Sequence, residues 1–325
     1  MMRILLRLLL ILIILIALVG GVSFYFLSPV ENINKPVIFT LQKDDNKLDA
    51  AIKLKEQKLI RNVAVFSFLL TYFAADKKIL PGGYRLNSNM NAWQVMEKIT
   101  KKPDLVWVVI REGLRKEQVA IVLAKALGWT DKQRSLWLDN YTSSNPEYIE
   151  GVYFPDTYLI PVDENGADIV RRFINNFNAK MAPLFPEFAK KDILWTTGIK
   201  IASLIQREAG GSADMPIIAG VIWNRLNKGM KLEIDATMQY TRGEQNDNWW
   251  GPIDLEEKLT DSPYNTYLYK GLPPTPICNP GLEAIKAALN PAETDCIFYL
   301  HDAQKQIHCA KTYEEHKRNI IEFLN

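Results

Sequence analysis

The feature that most limits what this chain can become is its beginning. Leu8 to Leu27 reads LLLILIILIALVGGVSFYFL, about 20 residues without a charge, enough to cross a hydrocarbon core of about 30 Å as a helix. A cleaved signal peptide is the alternative. Its apolar region would stop after about 7–15 residues at a small-x-small site, whereas this run continues through Phe24, Tyr25, Phe26 and Leu27, and Val19-Gly20-Gly21 is a weak cleavage site. An uncleaved single-pass anchor over residues 8–28 is therefore expected in the inner (plasma) membrane. Arg3 and Arg7 precede the span. By the positive-inside rule a stub of residues 1–7 stays in the cytoplasm, and everything after about Pro29 is exported.

A chain of 325 residues predicts roughly two domains. A formal net charge of +2 argues against a nucleic-acid partner bound by bulk electrostatics. Export permits disulfides, which gives the three cysteines interest. CIFYLHDAQKQIHC, Cys296 to Cys309, reads as a hairpin turning near Asp302–Lys305. Folding it about Ala303 sets Cys296 opposite Cys309, so a bridge is possible if the register holds; two small buried residues are the alternative. Cys278 is left free. No metal is expected, because His301, His308 and Cys309 lack any recognisable ligand spacing.

The pattern along the chain is mixed α+β. VIFTL (residues 37–41) is a strand candidate, and a helix candidate runs from Leu48 to Gln57. Asn62 to Ala74 is a second helix, so apolar that it must be well covered. PGGYRLNS turns into a short strand, and Asn91-Ala92-Trp93 opens another helix. Strand Val106–Arg111 and helix Arg115–Leu127 follow. YFPDTYLIP, Tyr153 to Pro161, is aromatic yet broken by two prolines, so it reads as irregular and buried. Ala167 to Met181 is amphipathic. Pro216 suits the first turn of a helix that Gly229 stops. Lys231 to Tyr240 (KLEIDATMQY) alternates as a half-buried strand, at least at its start. Asn279-Pro280 opens a helix ending near Asn290-Pro291, and Thr312 with Glu315 forms a capping box for the last one.

The candidate chemistry centres on IASLIQREAGGS, Ile201 to Ser212. As a helix, Ile201, Leu204, Ile205 and Glu208 fall on one stripe, while Lys200, Ser203 and Arg207 mark a wetter face. A carboxyl ending an apolar stripe is desolvated, and the helix C-terminus adds negative potential. Both raise its pKa, which suits a general acid. The alternative is a Glu that reaches solvent or pairs with Arg207 or Arg225. Asp235 or Glu233 could supply a second acid of the kind glycoside hydrolysis uses, or could be an ordinary solvated face. Trp249-Trp250 could stack on sugars or lie in a core. Phosphate-cradling glycine loops, a G-x-S-x-G elbow and H-E-x-x-H are absent.

IASLIQREAGGS, VIWNRLNKGMKLEIDATMQY, SPYNTYLYKGLPPTPICNPG and the closing KTYEEH, with GVYFPDTY upstream, together resemble the YceG-like family of endolytic murein transglycosylases in order and spacing. The resemblance runs from the anchor onward. It implies a transmembrane helix, a LysM-like module over residues 36–104, a connecting region over 105–190 with a second LysM-like part, and an α+β catalytic domain over 191–325. It implies cleavage of the β-1,4 bond between N-acetylmuramic acid and N-acetylglucosamine within nascent peptidoglycan strands, leaving a 1,6-anhydro end and terminating polymerisation. It also implies that no cofactor is needed and that peptidoglycan synthases are possible partners. Glu208 aligns with the family's catalytic acid, and Gln206 stands where many relatives carry another Glu. Asn224, Asp235, Thr237, Gln239, Tyr240, Tyr264, Asn265, Thr266 and Tyr267 become the expected substrate-binding set. One acid suffices for such a reaction, because the sugar's own 6-hydroxyl is the nucleophile and is already tethered. A hydrolase using Glu208 and Asp235, and a non-catalytic wall-binding scaffold, stay open as alternatives.

Overall fold

In the computed structural model, which describes residues 2–142, 150–246 and 248–324, the apolar N-terminus forms one helix, α1 (Met2–Leu27). Its stretch Leu6–Leu27 is long and apolar enough to cross a membrane; residues 6–25 of it are exposed, and only Phe26 and Leu27 at its end are partly buried. The chain divides into two compact units, Met1–Val108 with Tyr158–Glu164, and Val109–Thr157 with Asn165–Asn325.

The first unit adds to α1 the elements β1 (Pro36–Leu41), α2 (Lys47–Glu56), α3 (Val63–Tyr72), β2 (Gly82–Asn87), α4 (Ala92–Ile99) and most of β3 (Leu105–Ile110). The chain leaves the unit along β3 and re-enters it in β4 (Asp156–Pro161), and the sheet order is β1-β2-β3-β4. β1 and β2 pair antiparallel with Phe39 opposite Tyr84. Asparagines start all three short helices. Asn46 and Asn91 form capping boxes with Asp49 and Gln94, and the Asn62 side chain accepts from Val65 N, satisfying amides that a helix leaves unpaired. Phe39, Leu54, Phe66, Leu70, Tyr84 and Val95 are buried in the core between sheet and helices. Two expectations need correction here. Residues 156–161 are a strand rather than irregular; β4 lies at the sheet's edge, the position that tolerates a proline such as Pro161. And α3 is covered on one face only: Phe66, Leu69 and Leu70 are buried, while Phe68 and Tyr72 stand 54% and 69% exposed.

The second unit is mainly helical: α5 (Lys116–Leu127), α6 (Asp131–Leu136), α7 (Gly166–Met181), α8 (Phe185–Lys190), α9 (Trp195–Glu208), α10 (Met215–Asn227), α11 (Asp235–Arg242), α12 (Leu282–Leu289) and α13 (Tyr313–Phe323). A two-stranded hairpin, β5 (Phe298–His301) and β6 (Ile307–Ala310), precedes α13. Helix α9 is central, packing against α8, α10, α11 and α12. Its two faces are both covered. Ile201, Leu204 and Ile205 are buried as expected, but so is Ser203 on the face read as wet. Ser203 Oγ donates to Lys200 O and accepts from Ile277 N, so residues 276–279 lie along that side.

KLEIDATMQY is extended only as far as Ile234. Glu233 takes a positive φ of 56°, which breaks a ladder, and Thr266 accepts from Glu233 N through its carbonyl and from Ile234 N through Oγ1. Thr237 Oγ1 then donates to Ile234 O, and α11 begins at Asp235. Burial alternates only from Leu232 to Ala236, and on the short helix Thr237 is buried alongside Ala236 and Met238. The hairpin register also differs from the expected one: Tyr299, not Cys296, stands opposite Cys309. Cys296 and Cys309 are nonetheless disulfide-bonded, with their Cα atoms 5.8 Å apart, and Cys278 is free and buried.

Candidate active site

Glu208 is the last residue of α9, and the chain turns immediately after it at Ala209. The glycines that follow have a defined use. Gly210 N and Gly211 N both donate to the Asp214 carboxylate, at 2.8 and 3.3 Å, and Asp214 Oδ2 is 2.7 Å from His301 Nε2. A Cβ on Gly210 would crowd Asp214 and the Lys305 backbone at 3.3–3.4 Å. The end of α9 is thereby tied to the tip of the β5–β6 hairpin.

That hairpin brings a residue the sequence reading missed. Tyr299 Oη donates to Glu208 Oε2 at 2.6 Å. Both residues line a cleft of about 310 Å³, together with Arg225, Glu233, Tyr267 and Phe298 among others. Arg225 holds the walls together: its Nε donates to Ile297 O, its Nη1 donates to Lys231 O, Leu232 O and Glu233, and its guanidinium lies 5.0 Å from the Phe298 ring centre.

Burial pushes the Glu208 carboxyl above its ordinary pKa, and the negative charge of Asp235 pushes the same way. The Tyr299 bond, His301 and Arg207 pull against that rise without cancelling it. Burial beside Glu208 raises Tyr299 well above a normal phenol, so it stays a donor. Neither arginine considered as a partner pairs with Glu208. Arg207 instead lies over the Trp250 ring at 4.0 Å, and among the described residues Glu208 forms no ion pair. The site thus presents a carboxyl with a raised pKa, held by a phenol, in a cleft.

The other expected site residues fall into three groups. Tyr267 lines the cleft, and its hydroxyl donates to Asp235 Oδ1, which Lys258 Nζ approaches to 3.2 Å. Thr237, Asn265 and Thr266 are buried beneath it: Thr237 and Thr266 bond to each other at 3.1 Å, and Asn265 Nδ2 donates to Lys258 O and Thr260 O. The Tyr240 and Tyr264 rings meet at a tilt with centres 5.0 Å apart, with Arg115 over Tyr240 and Tyr264 Oη 2.7 Å from Thr275 Oγ1. Gln239 donates to Gly251 O nearby. Asn224 faces a different concavity, where its amide donates to Thr294 O and Cys296 O at 2.6 and 3.0 Å. Trp249 lies beside the Arg115 guanidinium at 4.9 Å, so Trp249 and Trp250 each present a ring face to an arginine. His308 pairs with Asp302, and no group of three or more His, Cys, Asp or Glu able to hold a metal ion occurs among the described residues.

Comparison with known proteins gives the family to which this fold belongs. The YceG-like family model matches residues 39–322, and the chain belongs to that family. Among curated relatives, an endolytic murein transglycosylase of Bacillus subtilis (strain 168) is 29% identical over 95% of this chain and 91% of its own length. An endolytic murein transglycosylase of Streptococcus pneumoniae (strain D39) is 25% identical over 92% of this chain, which spans 60% of that longer protein. The crystal structure of a YceG-like protein from Listeria monocytogenes superposes with a TM-score of 0.63 at 26% identity, covering 87% of this chain and 98% of that one.

Proposed function

We propose that the chain is a membrane-anchored endolytic murein transglycosylase whose single catalytic acid is Glu208. The observation that carries the reading is the geometry at Glu208: a carboxyl with a raised pKa, in a cleft, bonded by Tyr299 and free of any ion pair among the described residues. Its membership of the YceG-like family and its relatives' activity support the same assignment.

Protonated Glu208 donates to the glycosidic oxygen as the bond between N-acetylmuramic acid and N-acetylglucosamine breaks. The resulting carboxylate then accepts the proton of the muramyl 6-hydroxyl as that oxygen closes on the anomeric carbon, giving the 1,6-anhydro end. The nucleophile belongs to the reacting ring, so no second carboxylate has to hold water. Asp235 and Tyr267 are the proposed sugar-facing pair. Asn224, Thr237, Gln239, Tyr240, Tyr264, Asn265 and Thr266 are proposed to act on substrate through the walls they brace. Residues 8–28 of the α1 segment are the anchor, residues 1–7 are cytoplasmic, the chain after about Pro29 is extracytoplasmic, residues 36–104 form a LysM-like module, and peptidoglycan synthases are the proposed neighbours.

Mass spectrometry of the products from purified murein tests this. Anhydro-muramyl ends support it. Reducing ends would favour a hydrolase using Glu208 and Asp235, and intact strands a wall-binding scaffold.

A further inference from the structure

Helix α3 has apolar residues on both faces, yet only one face meets the core. On the outer face Phe68 and Tyr72, one helical turn apart, are 54% and 69% exposed, Phe73 just beyond the helix is 54% exposed, and Trp93 on α4 is 41% exposed. These four rings form one cluster: Phe68 lies 4.5 Å from Tyr72 and 6.4 Å from Phe73, and Phe73 lies 5.2 Å from Trp93. A contiguous exposed apolar patch on a water-facing unit marks a contact surface.

The same unit shows what that contact is. The end of α1 is seated on it: Leu27 packs against the core, and α1 touches α4, the helix that carries Trp93. Arg61, immediately before the Asn62 cap of α3, donates to Ser28 Oγ and Pro29 O and lies 4.7 Å over the Tyr25 ring. The start of α3 therefore meets the end of the apolar helix, and Phe68 and Tyr72 follow Arg61 at about 10 and 16 Å along the α3 axis. Phe, Tyr and Trp beside the end of a membrane span are the residues that settle at the lipid headgroups. A glycan would need flat ring faces flanked by hydrogen-bonding groups. Here Phe73 meets Phe68 and Trp93 edge-on, and the Trp93 indole N–H is bonded to Glu97.

We propose that Phe68, Tyr72, Phe73 and Trp93 form a second membrane contact, immersed in the headgroup layer of the bilayer that α1 crosses. The proposal rests on the reading of α1 as a membrane span. It is tested with the full chain reconstituted in vesicles of phosphatidylethanolamine and phosphatidylglycerol, carrying the photo-crosslinker p-benzoylphenylalanine in place of Phe73, Leu12 or Leu255 in turn. Leu12 lies within α1, and Leu255, in the second unit, is 81% exposed. Lipid adducts at Phe73 should approach the yield at Leu12 and exceed that at Leu255 several-fold. Phe73 adducts no more abundant than those at Leu255, or directed mainly to a second copy or to added glycan strands, would overturn the proposal while leaving the anchor intact. No lipid adducts at Leu12 would overturn the anchor reading itself, and this contact with it.

Discussion

Removing the Cys296–Cys309 bridge should destabilise the second unit by a predictable amount. The bridge closes a loop of sequence separation 13, and the chain-entropy model gives about 3 kcal/mol for a loop of about 15 residues. The folded hairpin has other supports: the β5–β6 ladder, the Asn224 amide on Thr294 O and Cys296 O, and Arg225 Nε on Ile297 O. The native geometry should therefore survive, and the loss should fall on the now less restricted unfolded chain. In a unit of about 200 residues, each kcal/mol moves Tm by about 2–4 °C, so the double replacement Cys296→Ala and Cys309→Ala should lower it by about 6–12 °C. Calorimetry of the full chain under non-reducing conditions measures this, with reduced wild type as a second arm. Asn224→Ala should cost more in the unbridged background than in the bridged one, since both devices hold residues 294–296. A double variant melting within about 2 °C of wild type, or a loss confined to a transition of the first unit, would refute the reasoning.

Three further outcomes follow from the charges around the site. Tyr299→Phe removes a bond that favours ionised Glu208; the alkaline limb of the pH–rate profile should move to higher pH, and the plateau rate should fall because the acid is weaker. Asp235→Asn removes a charge that disfavours ionised Glu208, so the same limb should move to lower pH; two shifts in one direction would contradict the electrostatics described. Burial raises Glu150 to about 8, the charge of Glu117 adding to the rise. A raised carboxyl stabilises the fold fully below its unfolded pKa and loses that contribution as pH rises through the folded value. Stability should therefore decline between about pH 5 and 8 with a slope approaching 1.4 kcal/mol per unit, and Glu150→Gln should flatten it in urea titrations.

Local signals were legible wherever local chemistry decides the structure. Asn91 as the opening of a helix, the Thr312–Glu315 capping box and the stripe ending in Glu208 each depend on residues within one or two turns. The errors came where a distant partner decides. KLEIDATMQY alternates like a strand, but Thr266, about thirty residues on, takes the amides of Glu233 and Ile234 and lets α11 start at Asp235. Ser203 read as solvent-facing because nothing nearby announced that residues 276–279 would cover it. Tyr299 was invisible for the same reason. Its hydroxyl meets Glu208 across 91 positions of sequence. The excess apolarity of α3 was plain in the sequence, yet its meaning needed the structure, which shows that half of it stays uncovered.

Glu208 carries the proposed chemistry, and one substitution reaches it. Full-length Glu208→Gln keeps the shape of the side chain and can accept the Tyr299 hydroxyl, but it has no proton to give. Release of anhydro-muramyl products from purified murein, followed by mass spectrometry against wild type, should fall by about 10²–10⁴-fold, the range general acid–base catalysis supplies, with Tm little changed. Anhydro-product release at the wild-type rate from a folded Glu208→Gln protein would contradict it.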